Sequence, residues 1–129
     1  MSKKDFTDTF ESLKAILRPY ARKMIVAHDT GDNYYLDTKY VMSNKHRVFF
    51  GSVRKGKAYV SYHLMPVYAS PELLSGISPG LKRRMQGKSC FNFKEIDEEL
   101  FKELAELTKA AAKRFSGKNL EEYMKKIGR

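Results

Sequence analysis

Between Met24 and Met65 apolar side chains alternate with polar ones, whereas before and after that stretch they recur every three or four residues. A period of two belongs to a half-buried strand and a period near 3.6 to one face of a helix. Both periods occupy one chain, so it must fold as α+β, with strands from its middle and helices from its flanks. The expected architecture is a single domain over residues 1–129: an antiparallel sheet of about five strands flanked by N-terminal and C-terminal helices, with two short helices before the last strand.

The first helix follows from Phe6, Phe10, Leu13, Leu17 and Tyr20, spaced as one helical face. Thr7 or Asp8 is its expected cap, Glu11 the reciprocal partner of Asp8, and Pro19 its end. Strands are expected at Met24–Ala27, Tyr34–Val41, Val48–Val53 and Ala58–Met65, with Gly56 supplying positive φ in the last turn. Within the fourth strand Ala58, Val60, Tyr62 and Leu64 face one way, while Tyr59, Ser61, His63 and Met65 face the other. Ser70-Pro71 and Ser78-Pro79 announce two short helices by the same capping device, the first closed by Gly76 and the second running to Met85 before Gly87. Ser89–Phe93 reads as the fifth strand. Asp97 caps a long helix with Leu100, Leu104, Leu107 and Ala111 on its buried stripe and Lys113, Arg114 and Gly117 at its end. Asn119 opens a last short helix with Leu120, Tyr123, Met124 and Ile127 apolar.

A chain of 129 residues buries about two-thirds of its unfolded surface, enough to hold without a disulfide or structural metal. Cys90 is the sole cysteine, which excludes an internal disulfide and makes a reducing cytoplasm the expected compartment. No apolar run reaches the roughly 18–20 residues that span a bilayer, and the polar start Met1–Asp5 is not followed by a signal-peptide core. A membrane partner is therefore not expected.

The net charge of +10 is local. Basic and acidic residues cancel over 1–17, three of each, and over 95–129, eight of each. The whole excess belongs to residues 18–94, where fourteen Lys or Arg face only Asp29, Asp32, Asp37 and Glu72. Such asymmetry speaks of partners, and an anionic partner is the one it suits.

Catalytic signatures are missing from the sequence. His28, His46, His63 and Cys90 do not stand at metal-ligand spacings, so neither a metal nor another cofactor is expected. Cys90 alternates with Phe91 and Phe93, the setting of an inert buried thiol, although Lys88 two residues away favours thiolate if it shares that face. Gly87-Lys88-Ser89 imitates the end of a phosphate-binding P-loop, but Lys82 occupies the place of the required first glycine and the run precedes a strand. What remains is basic and aromatic: Lys82, Arg83, Arg84, Lys88 and Lys94, with Phe91 and Phe93 among them and Tyr59, Tyr62, His63 and Tyr68 in the sheet region. Guanidinium groups bind phosphate bidentately and exposed rings stack on bases.

Tyr34-Tyr35-Leu36-Asp37-Thr38, Tyr62-His63-Leu64-Met65-Pro66-Val67-Tyr68 and Gly76-Ile77-Ser78-Pro79 through Arg84-Met85-Gln86-Gly87-Lys88-Ser89-Cys90-Phe91-Asn92-Phe93 resemble a group of small bacterial proteins related to the YdhG-like domains of unknown function, whose fold is compared with frataxin. The resemblance runs over roughly residues 6–115 and is most specific at 76–93. It implies one α+β domain with helices against an antiparallel sheet, and it brings no catalytic residues. Iron delivery by frataxin resembles an acidic-surface role, which the basic sheet region here does not match.

The leading expectation is a non-enzymatic domain that binds a phosphate-bearing ligand or nucleic acid through Tyr62, His63, Tyr68, Lys82, Arg83, Arg84, Lys88 and Cys90. The alternative is a small-molecule pocket or enzyme around Tyr62, His63, Arg84, Lys88 and Cys90. A third is a docking module that uses the last helix around Tyr123 and Ile127.

Overall fold

In a computed structural model of the chain, residues 6–128 are described, so Met1–Asp5 and Arg129, including the charges of Lys3, Lys4 and Asp5, lie outside the described residues. The first apolar stripe forms α1 (Thr7–Leu17), which buries Phe10, Leu13 and Leu17. Pro19 sits at the start of a 3₁₀ turn (Arg18–Lys23), because its ring leaves no N–H to continue the α-helical ladder. The alternating stretch supplies β1 (Ile25–Asp29), β2 (Asn33–Val41), β3 (Arg47–Lys55) and β4 (Val60–Leu64). Then come α2 (Met65–Ala69), a 3₁₀ turn (Pro71–Leu74), α3 (Pro79–Lys82), β5 (Met85–Gln86), β6 (Cys90–Phe93), α4 (Glu98–Arg114) and α5 (Gly117–Lys126). The six strands form one antiparallel sheet in the order β1-β2-β3-β4-β6-β5. The fold is α+β, as the periods require, with one strand more than expected.

The extra strand is β5, taken from residues expected to be helical. Gly87 at φ +78 reverses the chain so that Met85 pairs with Phe91 and Gln86 with Cys90. Met65, expected in the fourth strand, instead opens α2, since Pro66 cannot donate to a sheet ladder. Gly56 needs no positive φ: the β3–β4 turn spans four residues and closes through Gly56 N–H to the Tyr59 carbonyl at 2.9 Å. Gly117 opens α5 and does not close α4.

The caps divide in the same way. Asp97 accepts from Leu100 N–H at 3.1 Å, and Ser78 Oγ accepts from Leu81 N–H at 3.2 Å. Ser78 is itself gripped by Glu103 of α4, whose two oxygens take Ser78 N–H and O–H at 2.6 Å each. The Ser70 side chain, in contrast, makes no capping hydrogen bond, although its carbonyl accepts from Leu73 N–H at 3.0 Å, and α1 is capped by Phe6 with Thr7 and Asp8 inside its first turn.

All fully buried apolar residues belong to one cluster between the sheet and its helices. Tyr34, Leu36, Val48, Phe50, Val53, Val60, Tyr62, Leu64, Phe91 and Phe93 supply the sheet side, while α1 and α4 supply the other. Within β3 the register slips, with Leu36 opposite Gly51 but Asp37 opposite Phe49, so Phe50 and Gly51 together occupy the width of one position. This bulge requires a small residue. A Cβ on Gly51 would stand 3.0 Å from the His63 carbonyl oxygen, 3.2 Å from a Leu64 methyl and 3.3 Å from a Leu17 methyl. Gly51→Ala is accordingly expected to lower stability by about 1–3 kcal/mol through overpacking. Gly31→Ala, where a Cβ meets nothing within 4 Å, should change it little; urea midpoints of the two variants check the contrast.

Candidate functional site

Alternation sends every second side chain of the sheet away from the helices. Along β2, β3, β4 and β6 the residues between the buried ones are Tyr35, Phe49, His63 and Cys90, all half-buried. In the ladders Tyr35 stands opposite Ser52 and Ser52 opposite His63, and the β3 bulge turns Phe49 onto the same face, so its ring meets both neighbours diagonally. Tyr35 stacks on Phe49 with centroids 4.5 Å apart, and Phe49 meets the His63 ring edge-on at 5.1 Å. His28 of β1 extends the row, 5.6 Å from Tyr35. The result is a continuous strip of four rings over four adjacent strands.

Beyond His63 the row becomes polar. Its Nε2 shares a 2.6 Å hydrogen bond with the buried hydroxyl of Ser89, and Cys90 lies directly opposite His63 in the β4–β6 ladder. Nearer the β5 edge, Ser61 donates to Asn92 Oδ1 at 2.8 Å, and Asn92 Nδ2 donates to Gln86 Oε1 at 2.6 Å. The Tyr59 hydroxyl approaches the same Gln86 oxygen at 3.4 Å. These amides border an open pocket of about 330 Å³ on the sheet edge, where Arg83, Arg84 and Lys94 converge.

The residues singled out from sequence therefore separate. Arg83 and Arg84 come together at the edge pocket with Tyr59 and Lys94, and Lys82 lies exposed at the end of α3. Lys88 does not join them. The reversal at Gly87 carries it to the β5–β6 turn, where its Nζ sits over the exposed ring of Tyr68 at 5.9 Å. Tyr62 has to be withdrawn from any binding surface: it is 0% exposed, packed in the core with its hydroxyl 2.7 Å from Thr108 Oγ1. Its parity, opposite to that of His63, is already visible in the strand alternation. Tyr123 is half-buried against Phe115, leaving Ile127 exposed at the chain end. Tyr35 and Phe49, the centre of the ring row, escape sequence reasoning because Tyr35 pairs with Ser52 in the ladder and only the β3 bulge turns Phe49 to the same face. Among the described residues, no three His, Cys, Asp or Glu side chains are placed to share a metal.

Electrostatics on this face follow from partial burial. Desolvation pulls the His63 imidazole below its ordinary value, which favours the neutral ring that stacks and hydrogen-bonds. It pushes the Cys90 thiol up, away from thiolate. Burial likewise raises the Asp37 carboxyl, with Arg47 and His28 opposing.

A histidine with a depressed folded-state pKa contributes stability that is complete above the unfolded value near 6.5 and is lost as pH falls below it. The thermal midpoint is thus expected to drop between about pH 7 and pH 5, with a shallower drop in His63→Gln. Asp37, whose carboxyl burial raises, contributes with the opposite sign, gaining stability as pH falls, so it does not produce this drop. Equal slopes for parent and variant in melts across about pH 5–7.5 would show that His63 is not the group responsible.

No family model, curated protein or solved structure matches the chain, so the function is argued from the geometry of this face.

Proposed function

We propose that the chain is a non-enzymatic domain that binds single-stranded nucleic acid, with bases on the open face of the sheet and phosphates at its β5 edge. The observation that carries this reading is the strip His28–Tyr35–Phe49–His63, with neighbouring rings 4.5 to 5.6 Å apart on the face that the helices leave uncovered. Unpaired bases present flat π-faces, and stacking on aromatic side chains holds them with little regard to sequence. The amides of Asn92 and Gln86 line the cationic pocket, where donors and acceptors can meet base edges. Arg83 and Arg84 offer planar forks for phosphate oxygens, and Lys94 adds a third positive charge.

The enzyme alternative loses its support in two places. Tyr62 is inside the core, and burial holds Cys90 in the thiol form while Lys88 points to Tyr68. A duplex is a poor fit for the same strip, since its bases are already stacked on one another.

Fluorescence anisotropy with a labelled oligothymidylate of about ten nucleotides tests the assignment. Phe49→Ala and Tyr35→Ala are each expected to weaken binding roughly five- to hundredfold, the range for loss of one stacking ring. Arg83→Ala/Arg84→Ala is expected to weaken it and to flatten the log K against log salt slope by roughly 1.4, the value for removing two cations that each neutralise one phosphate of a single strand. Absence of binding at low salt, or unaltered binding by Phe49→Ala, would overturn the proposal.

A further inference from the structure

On the helix-covered side, with a lining separate from the ring strip, lies a large cleft of about 1080 Å³. It opens between the 3₁₀ turn after α1, the distal end of β2 and the corner where α4 meets α5. Its size is at the upper end of small-molecule sites. We propose that this cleft binds an amphiphilic anion: a small molecule with an aliphatic or aromatic body that ends in a carboxylate or phosphate. Such binding is independent of nucleic-acid binding, because the cleft shares no residue with the ring strip or the edge pocket.

Two features define that chemistry. The lining is apolar where Tyr20, Met24, Tyr40, Ala112, Phe115 and Leu120 meet, which suits a hydrocarbon or ring and offers nothing to a bare hydrated ion. Around that lining stand five cations, Arg22, Lys23, Lys39, Lys109 and Lys113, against one acid, Glu121. They come from three separate parts of the chain and are all exposed, and none of them forms an ion pair among the described residues.

Their neighbours behave differently. Arg18, four residues before Arg22, is 3.9 Å from Glu11, and Arg114, next to Lys113, holds Glu72 at 2.8 Å. Helix geometry also sets Lys109 and Lys113 one turn apart on α4, a like-charge spacing that costs stability until a counter-charge arrives. The corner is held in shape independently of any ligand, because Ser116 Oγ and Asn119 Nδ2 both donate to the Lys113 carbonyl, at 3.1 and 2.9 Å. An anionic head among these cations with its body against Tyr40 and Leu120 satisfies both halves of the site.

Isothermal titration with decanoate, decyl phosphate and the neutral decanol, all below micellar concentration, tests the proposal. Saturable binding of either anion is expected, with decanol and the Lys109→Glu/Lys113→Glu variant each weaker by about tenfold or more, as for loss of a charged contact. The preferred anion identifies the head group. Amide chemical shifts of the parent protein upon decanoate addition should change around Tyr40, Ala112 and Leu120, which keeps the test decisive if the double variant does not fold. The proposal fails if neither anion binds, if decanol binds as tightly, if the folded variant binds like the parent, or if the shifts gather at Tyr35 and Phe49. Loss of oligothymidylate binding in Phe49→Ala has no bearing on these outcomes.

Discussion

The hydroxyl of Tyr62 sits at the centre of the fold, sealed from solvent. The Thr108 hydroxyl proton is committed to the Leu104 carbonyl at 2.8 Å, so Tyr62 donates to Thr108 Oγ1 and β4 is tied to α4 by a chain of two hydrogen bonds. Burial holds the phenol far above its ordinary pKa, in the donor form this arrangement requires. A strand slipped by one residue would strand that hydroxyl and turn His63 into the core. Because β4 is an inner strand, its parity is passed through the ladders to Ser52 and Tyr35 on one side and to Cys90 and Asn92 on the other, while the β3 bulge restores Phe49 to the same face. The composition of the open face is therefore set from the opposite face, where Val60, Tyr62 and Leu64 are buried and the Tyr62 hydroxyl finds its partner.

Parity is legible in the sequence and register is not. The alternation at Tyr34-Tyr35-Leu36 and at Tyr62-His63-Leu64 states which residues share a side, since side-chain direction is a local property of extended backbone. That Phe49 shares a face with Tyr35 depends on a bulge, and the bulge depends on Gly51 fitting against Leu17 and Leu64, residues distant in sequence. Phe49 cannot be recognised as the middle of a row until that packing is known. Met85 reads as the end of a short helix for a similar reason: its strand partner, Phe91, becomes available only after Gly87 turns the chain. That turn also explains why Lys88, close in sequence to the Arg83-Arg84 pair, is not adjacent to it in space.

Charge shows the converse limit. Residues 95–129 are neutral when counted along the chain, yet folding separates their signs. In α4 the acids fall in the first half, where Glu103 is consumed in holding Ser78, while Lys109 and Lys113 emerge beside Arg22, Lys23 and Lys39. A segment without net charge thus completes a cationic rim begun by a segment that has one. Surface potential belongs to elements brought together, and a running sum along the sequence averages it away.

A sheet that displays Tyr35 and Phe49 carries the ingredients of cross-β stacking, namely extended backbone and half-buried rings on an open face. Its two borders withhold the remaining one, a long straight row of free amides and carbonyls. On one side β5 is two residues long and is flanked by Arg83, Arg84 and Lys94, so an approaching strand finds little backbone to pair with and a positive charge to cross. On the other, the ladder of β1 is interrupted between Val26 and His28, which twists that border away from straight registry. The sticky face is thereby kept apart from any templating edge, and the rings can be offered to a ligand without nucleating a fibril.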